Sequence, residues 1–202
     1  MSAAGLDDLD ASVRRNKPDH WLASRFIGDA GARADVVALY AFDHELSRAV
    51  AMKEPLIAEI RLTWWSEAMG EIFEGRPVRR HPVTLALQNA VEAHALPRDA
   101  FDAMIDARFD LIETPAHASE RTEAALMALA IRVLGSDAPG AASAAAALRF
   151  GSGDGATASR AAHGLDLRAF PAIAYAALPP GAAEPALGRR LRLVWTILRG
   201  RF

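Results

Sequence analysis

The sequence predicts an all-α fold, a single helical bundle made from 202 residues. Two observations carry that prediction. Apolar residues recur three and four positions apart along most of the chain, the spacing that gathers them on one face of a helix. Prolines and glycines stand between these periodic stretches, where helices start and stop. No convincing strand and no internal repeat breaks the pattern.

Leu6 to Asn16 reads as a short charged helix. Pro18-Asp19-His20 signals the next start, for a helix carrying Trp21, Leu22, Phe26 and Ile27 until Gly28 and Gly31 break it. Ala32 to Met52 follows. Leu39, Phe42, Leu46, Ala49 and Val50 form its apolar stripe, with Val36 and Tyr40 at the edge, and Asp43 falls inside that stripe. Glu54-Pro55 opens the best landmark of the chain, the run from Ile57 to Phe73 with its Trp64-Trp65 pair. At about 100° per residue its apolar positions fill more than half the circumference, which predicts neighbours on more than one side. Arg61 projects near the middle of that sector. A guanidinium stays charged and is costly to bury unpaired. Two inward charges of opposite sign suggest each other, so Asp43 is expected to meet Arg61. The alternatives are an Arg61 that lines a pocket holding an anion or water, an Arg61 that snorkels to the surface, and an Asp43 that points outward.

Gly75-Arg76-Pro77 ends the landmark helix, and His81-Pro82 starts another with Val83, Leu87, Ala90, Val91 and His94 on one face. His94 has no metal-ligand partner at helical spacing and reads as a packed or edge histidine. Leu96-Pro97 closes this helix. From Asp99 to Glu113, Phe101, Met104, Ile105, Phe109 and Ile112 face one way; Asp102, Asp106, Asp110 and Glu113 face the other. Arg108 lies among the apolar set, a second inward arginine. Thr114-Pro115 breaks the chain, and Ser119 with Thr122-Glu123 reads as an N-cap region. Leu126, Leu129, Ala130, Val133 and Leu134 follow on a helix that Gly135 stops.

Ser136 to Gly164 is rich in Ala, Gly and Ser. Ala141 to Phe150 can be helical, but Gly151-Ser152-Gly153-Asp154-Gly155 cannot continue it and is expected to be a flexible loop. No strand precedes that run and no Lys-Ser/Thr follows it, so it is not a phosphate loop. Phe170 to Leu178 is a short apolar helix flanked by prolines. Gly188 to Phe202 is the last helix, with Leu191, Val194, Trp195 and Leu198 on one face and Arg189, Arg190, Arg192, Arg199 and Arg201 around them. Docking of that face on the core is expected; peripheral contact with a membrane surface is the alternative. The whole reads as one domain, with 18–135 as its best-supported core, 136–166 flexible and 167–202 holding the C-terminal helices.

A formal charge of −2 and a pI near 6.3 argue against a nucleic-acid partner. Cysteine is absent, which excludes disulfides, zinc-thiolate sites and thiol catalysis. No stretch is long and apolar enough to cross a bilayer, and Met1 to Asp10 is acidic and lacks an apolar h-region, so neither a secretory nor a mitochondrial signal is expected there. The expected compartment is the cytoplasm, with a peripheral position at the inner membrane left open.

The order of segments resembles the squalene/phytoene synthase family. Leu39-Tyr40-Ala41-Phe42, Glu59-Ile60-Arg61-Leu62-Thr63-Trp64-Trp65, Gly75, His81-Pro82-Val83, Leu96-Pro97 and Arg108-Phe109-Asp110-Leu111 carry the resemblance, over roughly residues 18 to 135. It implies the all-helical isoprenoid synthase fold of head-to-head prenyl transferases, here shortened after Gly135. It also implies two aspartate-rich helical motifs holding Mg²⁺, because a diphosphate departs only when its charge is neutralised. This sequence lacks them. Ser47 and Arg48 stand where the family would show paired aspartates, and Ala51 stands at the later acid, so the column Asp43, Ser47, Ala51 carries one carboxylate. Asp154 and Asp166 do not make a second acidic helix.

The same losses mark a branch of the family typified by a respiratory complex I assembly factor. Phe42-Asp43-His44-Glu45-Leu46, Glu54-Pro55-Leu56 and the run Arg61 to Trp65 resemble that branch more than active synthases. The resemblance therefore implies a catalytically degenerate protein with no metal cofactor, acting on protein partners such as complex I subunits. Two other functions stay open: an active, Mg²⁺-dependent prenyl transferase, and a module that binds a lipid or isoprenoid without turnover. The expected pocket or buried polar cluster is Tyr40, Asp43, Ser47, Arg61, Trp65 and Arg108.

Overall fold

A computed structural model of the chain describes residues 3–113, 118–178 and 186–202. All regular structure among them is helical: α1 (Ala3–Asn16), α2 (Pro18–Ser24), α3 (Ala30–Val50), α4 (Pro55–Phe73), α5 (Pro82–His94), α6 (Arg98–Glu113), α7 (Ala118–Val133), α8 (Pro139–Phe150), α9 (Gly155–Ala161), α10 (Pro171–Ala174) with a 3-10 turn (Tyr175–Ala177), and α11 (Ala186–Arg199). No helix among these residues is long and apolar enough to cross a membrane.

The helix ends follow local chemistry. The Asp29 carboxylate accepts the Ala32 N–H at 2.7 Å, so α3 starts at Ala30 and Gly31 lies in its first turn instead of breaking the chain. His81 Nδ1 accepts the Val83 N–H at 3.3 Å, with Pro82 at the first position of α5. Ala95 closes α5 in the left-handed region, at φ 47°. The Gly151 run turns back on α8, with the Ser152 N–H donating to the Ala147 carbonyl at 3.0 Å, and Asp154 then caps α9 through the Thr157 N–H at 2.9 Å. Ser119 lies inside α7 and does not cap it. The chain break expected at Thr114-Pro115 falls outside the described residues.

The axis of the bundle is α3 and not the Trp64-Trp65 helix. Val36 to Asp43 is buried on every side of α3, an all-round burial that only a central helix shows. It is enclosed by α1, α2, α4, α5, α6 and α7. Phe42 anchors an aromatic cluster, 5.3 Å from the Trp65 ring and 5.8 Å from the Phe101 ring, with Phe73 beyond at 5.7 Å from Phe101. On α4, Ala58, Leu62, Trp65, Met69 and Ile72 are buried, but Ile57, Ile60 and Arg61 are exposed. Arg61 has the angular position of a core residue, yet at its height the neighbouring helices open into a surface cleft lined by Glu45, Ala49, Ile60, Trp64, Trp65 and His81.

The helices α6, α7 and α8 pack one against the next, and α10 with its 3-10 turn closes over α2, α7 and α8. The last helix docks, but by the face opposite to the expected one. Leu193 and Thr196 are buried, while Leu191, Trp195 and Leu198 face solvent.

Candidate functional site

On α3, Tyr40, Asp43 and Ser47 follow one another at helical spacing, and a buried cluster of charged groups gathers around the middle one. The Asp43 side chain is 2% exposed. Its Oδ2 accepts from Lys17 Nζ at 2.5 Å and its Oδ1 from the Arg108 guanidinium at 2.5 Å. Lys17 comes from the link between α1 and α2, and Arg108 from α6. Burial alone would raise the Asp43 carboxyl; the two cations, the Lys17 hydrogen bond and His20 outweigh it and hold the carboxyl well below the usual range. Asp43 is therefore the inward acid of α3, paired with Lys17 and Arg108 and not with Arg61.

A second buried carboxylate lies beside it. Glu123 of α7 is bonded to His20 Nε2 at 2.9 Å and accepts a hydrogen bond from the Tyr175 hydroxyl at 2.7 Å. Burial pushes Glu123 up, but the charge and hydrogen bond of His20 bring it below its ordinary value. The His20 ring sits 5.0 Å from the Tyr40 ring and 4.1 Å from the Tyr175 ring. Both phenols are pushed far up, first by burial and then by Glu123, so neither ionises near neutral pH. The Tyr40 hydroxyl and the Arg108 Nε find no hydrogen-bond partner among the described residues. Above Tyr175, Arg149 stacks 5.2 Å over the ring and donates to the carbonyls of Tyr175 and Leu178. Arg149 also pairs with Asp19, which Arg189 of α11 holds by both oxygens at 2.6 Å.

The sequence-derived residues are thus distributed over two places. Tyr40, Asp43 and Arg108 lie in the buried cluster. Ser47 is half-buried and its hydroxyl donates back to the Asp43 carbonyl at 2.8 Å. Trp65 packs against Phe42 and the His81 ring, and with Arg61 it lines the cleft between α3 and α4. Four members of the cluster escaped the sequence reading: Lys17, His20, Glu123 and Tyr175. Glu123 carries a signal, because it heads the apolar stripe of Leu126, Ala130 and Val133, although beside Ser119 and Thr122 it also reads as part of an N-cap region. Tyr175 had one too, since a phenol inside an apolar helix needs a partner. Lys17 had none.

Magnesium at the position that the resemblance implies would need several free carboxylate oxygens on one face. Asp43 gives both of its oxygens to cations, Ser47 bonds to backbone, and Arg48 pairs with Glu45 at 2.9 Å on the outer side. Asp154 is consumed in capping α9, and Asp166 accepts the Arg168 N–H at 2.8 Å. Among the described residues no group of three or more His, Asp or Glu is placed to hold a metal ion. This donor set does not fit Mg²⁺. The cluster instead ties the α1–α2 link, α3, α6, α7 and the 3-10 turn together.

A family model described as squalene/phytoene synthase matches residues 13–158 of the chain. No curated protein and no solved structure matches it. With most of its length matched and an all-α fold throughout the described residues, the chain belongs to the squalene/phytoene synthase family.

Proposed function

We propose that this chain is a non-catalytic member of its family that acts as an assembly or interaction factor, with respiratory complex I as the client. One observation carries the reading: the single carboxylate of the α3 column, Asp43, is already neutralised from within by Lys17 and Arg108. A prenyl transferase must present its acids to metal ions so that a diphosphate can leave. Here the acid's two oxygens face cations that cannot be displaced without stranding a buried charge. The choice of client rests on the segments Phe42 to Leu46, Glu54 to Leu56 and Arg61 to Trp65, which resemble the complex I assembly branch.

Two measurements test the proposal. Purified protein incubated with farnesyl or geranylgeranyl diphosphate and Mg²⁺ is expected to form no squalene- or phytoene-type hydrocarbon; formation of one overturns the non-catalytic reading. Deletion of the gene is expected to lower assembled complex I and NADH:quinone activity together. Unchanged levels of both overturn the choice of client.

A further inference from the structure

We propose that α11 is a membrane-docking helix, lying in the plane of a surface of anionic phospholipid. The inference goes beyond the reading of the buried cluster and stands on a different face of the molecule. Leu187, Leu191, Trp195 and Leu198 are 68%, 61%, 56% and 74% exposed. Their spacing of four, four and three residues places them in one stripe along the helix. Val194, half-buried, borders it. The stripe is flanked on one side by exposed Arg190 and on the other by exposed Arg192 and Arg199. The Arg199 guanidinium stacks 3.9 Å over the Trp195 ring, and Arg201 follows just past the helix end.

The opposite side of α11 is fixed to the protein. Leu193 and Thr196 are buried, and Arg189 grips Asp19. The stripe therefore cannot turn inward without breaking that attachment.

Charge identifies the occupant. Helix α11 carries no carboxylate in its 14 residues; with Arg189 held by Asp19 on the protein side, Arg190 and Arg199 stand at the borders of the stripe, on a chain whose net charge is −2. Large apolar side chains on one face with arginines at its borders are the arrangement of a helix that sinks its apolar stripe to the acyl boundary and keeps its cations at the headgroups. A tryptophan in the stripe suits that interface. An anionic lipid surface matches both features at once.

The test uses the full chain and sedimentation with vesicles of phosphatidylcholine containing roughly one-third phosphatidylglycerol, whose negative surface attracts basic segments. The wild-type protein is expected to co-sediment, to bind pure phosphatidylcholine less, and to be released by salt. The double variant L191S/W195S changes exposed positions only, and is expected to retain its circular dichroism and lose about tenfold or more in partitioning. Tryptophan emission of the wild type should shift to the blue on binding and be partly quenched by lipid brominated near the headgroup, and both changes should be absent in L191S/W195S, which keeps the other three tryptophans. The proposal is overturned by absence of vesicle binding, by equal binding of L191S/W195S, or by a lipid-free dimer that buries the stripe and dissolves in that variant.

Discussion

Replacing Arg108 by Met probes the buried cluster most sharply. The substitution keeps length and removes one of the two cations on Asp43. Across about 4 Å at an effective dielectric near 20, one such contact is worth about 4 kcal/mol before desolvation. Removing one partner of an enclosed pair costs about 3–5 kcal/mol, because the other charge stays buried. The Lys17 ammonium remains on Oδ2, and the Arg108 side chain is itself 11% exposed. The lower end, about 3 kcal/mol, is therefore expected, or a fall in Tm of roughly 6–12 °C for a domain of this size. Arg61→Met is the control: Arg61 is exposed, and its replacement should stay within about 0.5 kcal/mol of the parent. The assay is thermal melting followed by circular dichroism, repeated at falling pH. The depressed Asp43 carboxyl contributes stability that is present above the unfolded carboxylate range, near pH 4, and is lost as pH falls toward its folded value. Arg108→Met should shrink that acid-side loss. Equal melts for Arg108→Met and the parent, or a large loss for Arg61→Met, would refute the reasoning.

Further expectations concern the neighbouring groups. Tyr40→Phe removes a buried hydroxyl that has no partner among the described residues, so stability should be unchanged or raised by up to about 1 kcal/mol. Tyr175→Phe takes a donor from the Glu123 carboxylate and should cost about 1.5–3 kcal/mol, read by denaturant titration. Ala95→Gly relieves a left-handed backbone at the end of α5 and should stabilise the protein by about 1 kcal/mol in the same titration.

Much of the fold was legible because helix punctuation is local. Pro18, Pro55, Pro82 and Gly135 each mark an observed boundary, and the residues around them carry the signal unaided. The inward pointing of Asp43 and Arg108 was legible for the same reason: angle around a helix follows from spacing. What stands opposite a residue does not. Arg61 points toward a cleft because the neighbours of α4 give way at its height, a property of the assembled bundle. Lys17 reaches Asp43 from a link with no periodicity to read. The face of α11 failed differently. Its apolar stripe is plain in the spacing, but amphipathicity alone does not say whether core, partner or lipid receives it, and Leu193, Thr196 and Arg189 make the core contact instead.

Calorimetric titration of the purified protein with Mg²⁺, alone and in the presence of geranylgeranyl diphosphate, bears most directly on whether internal cations have replaced the metal at Asp43. No saturable Mg²⁺ heat is expected in either case. Stoichiometric uptake of Mg²⁺ that disappears in Asp43→Asn would contradict the assignment of Asp43 to Lys17 and Arg108.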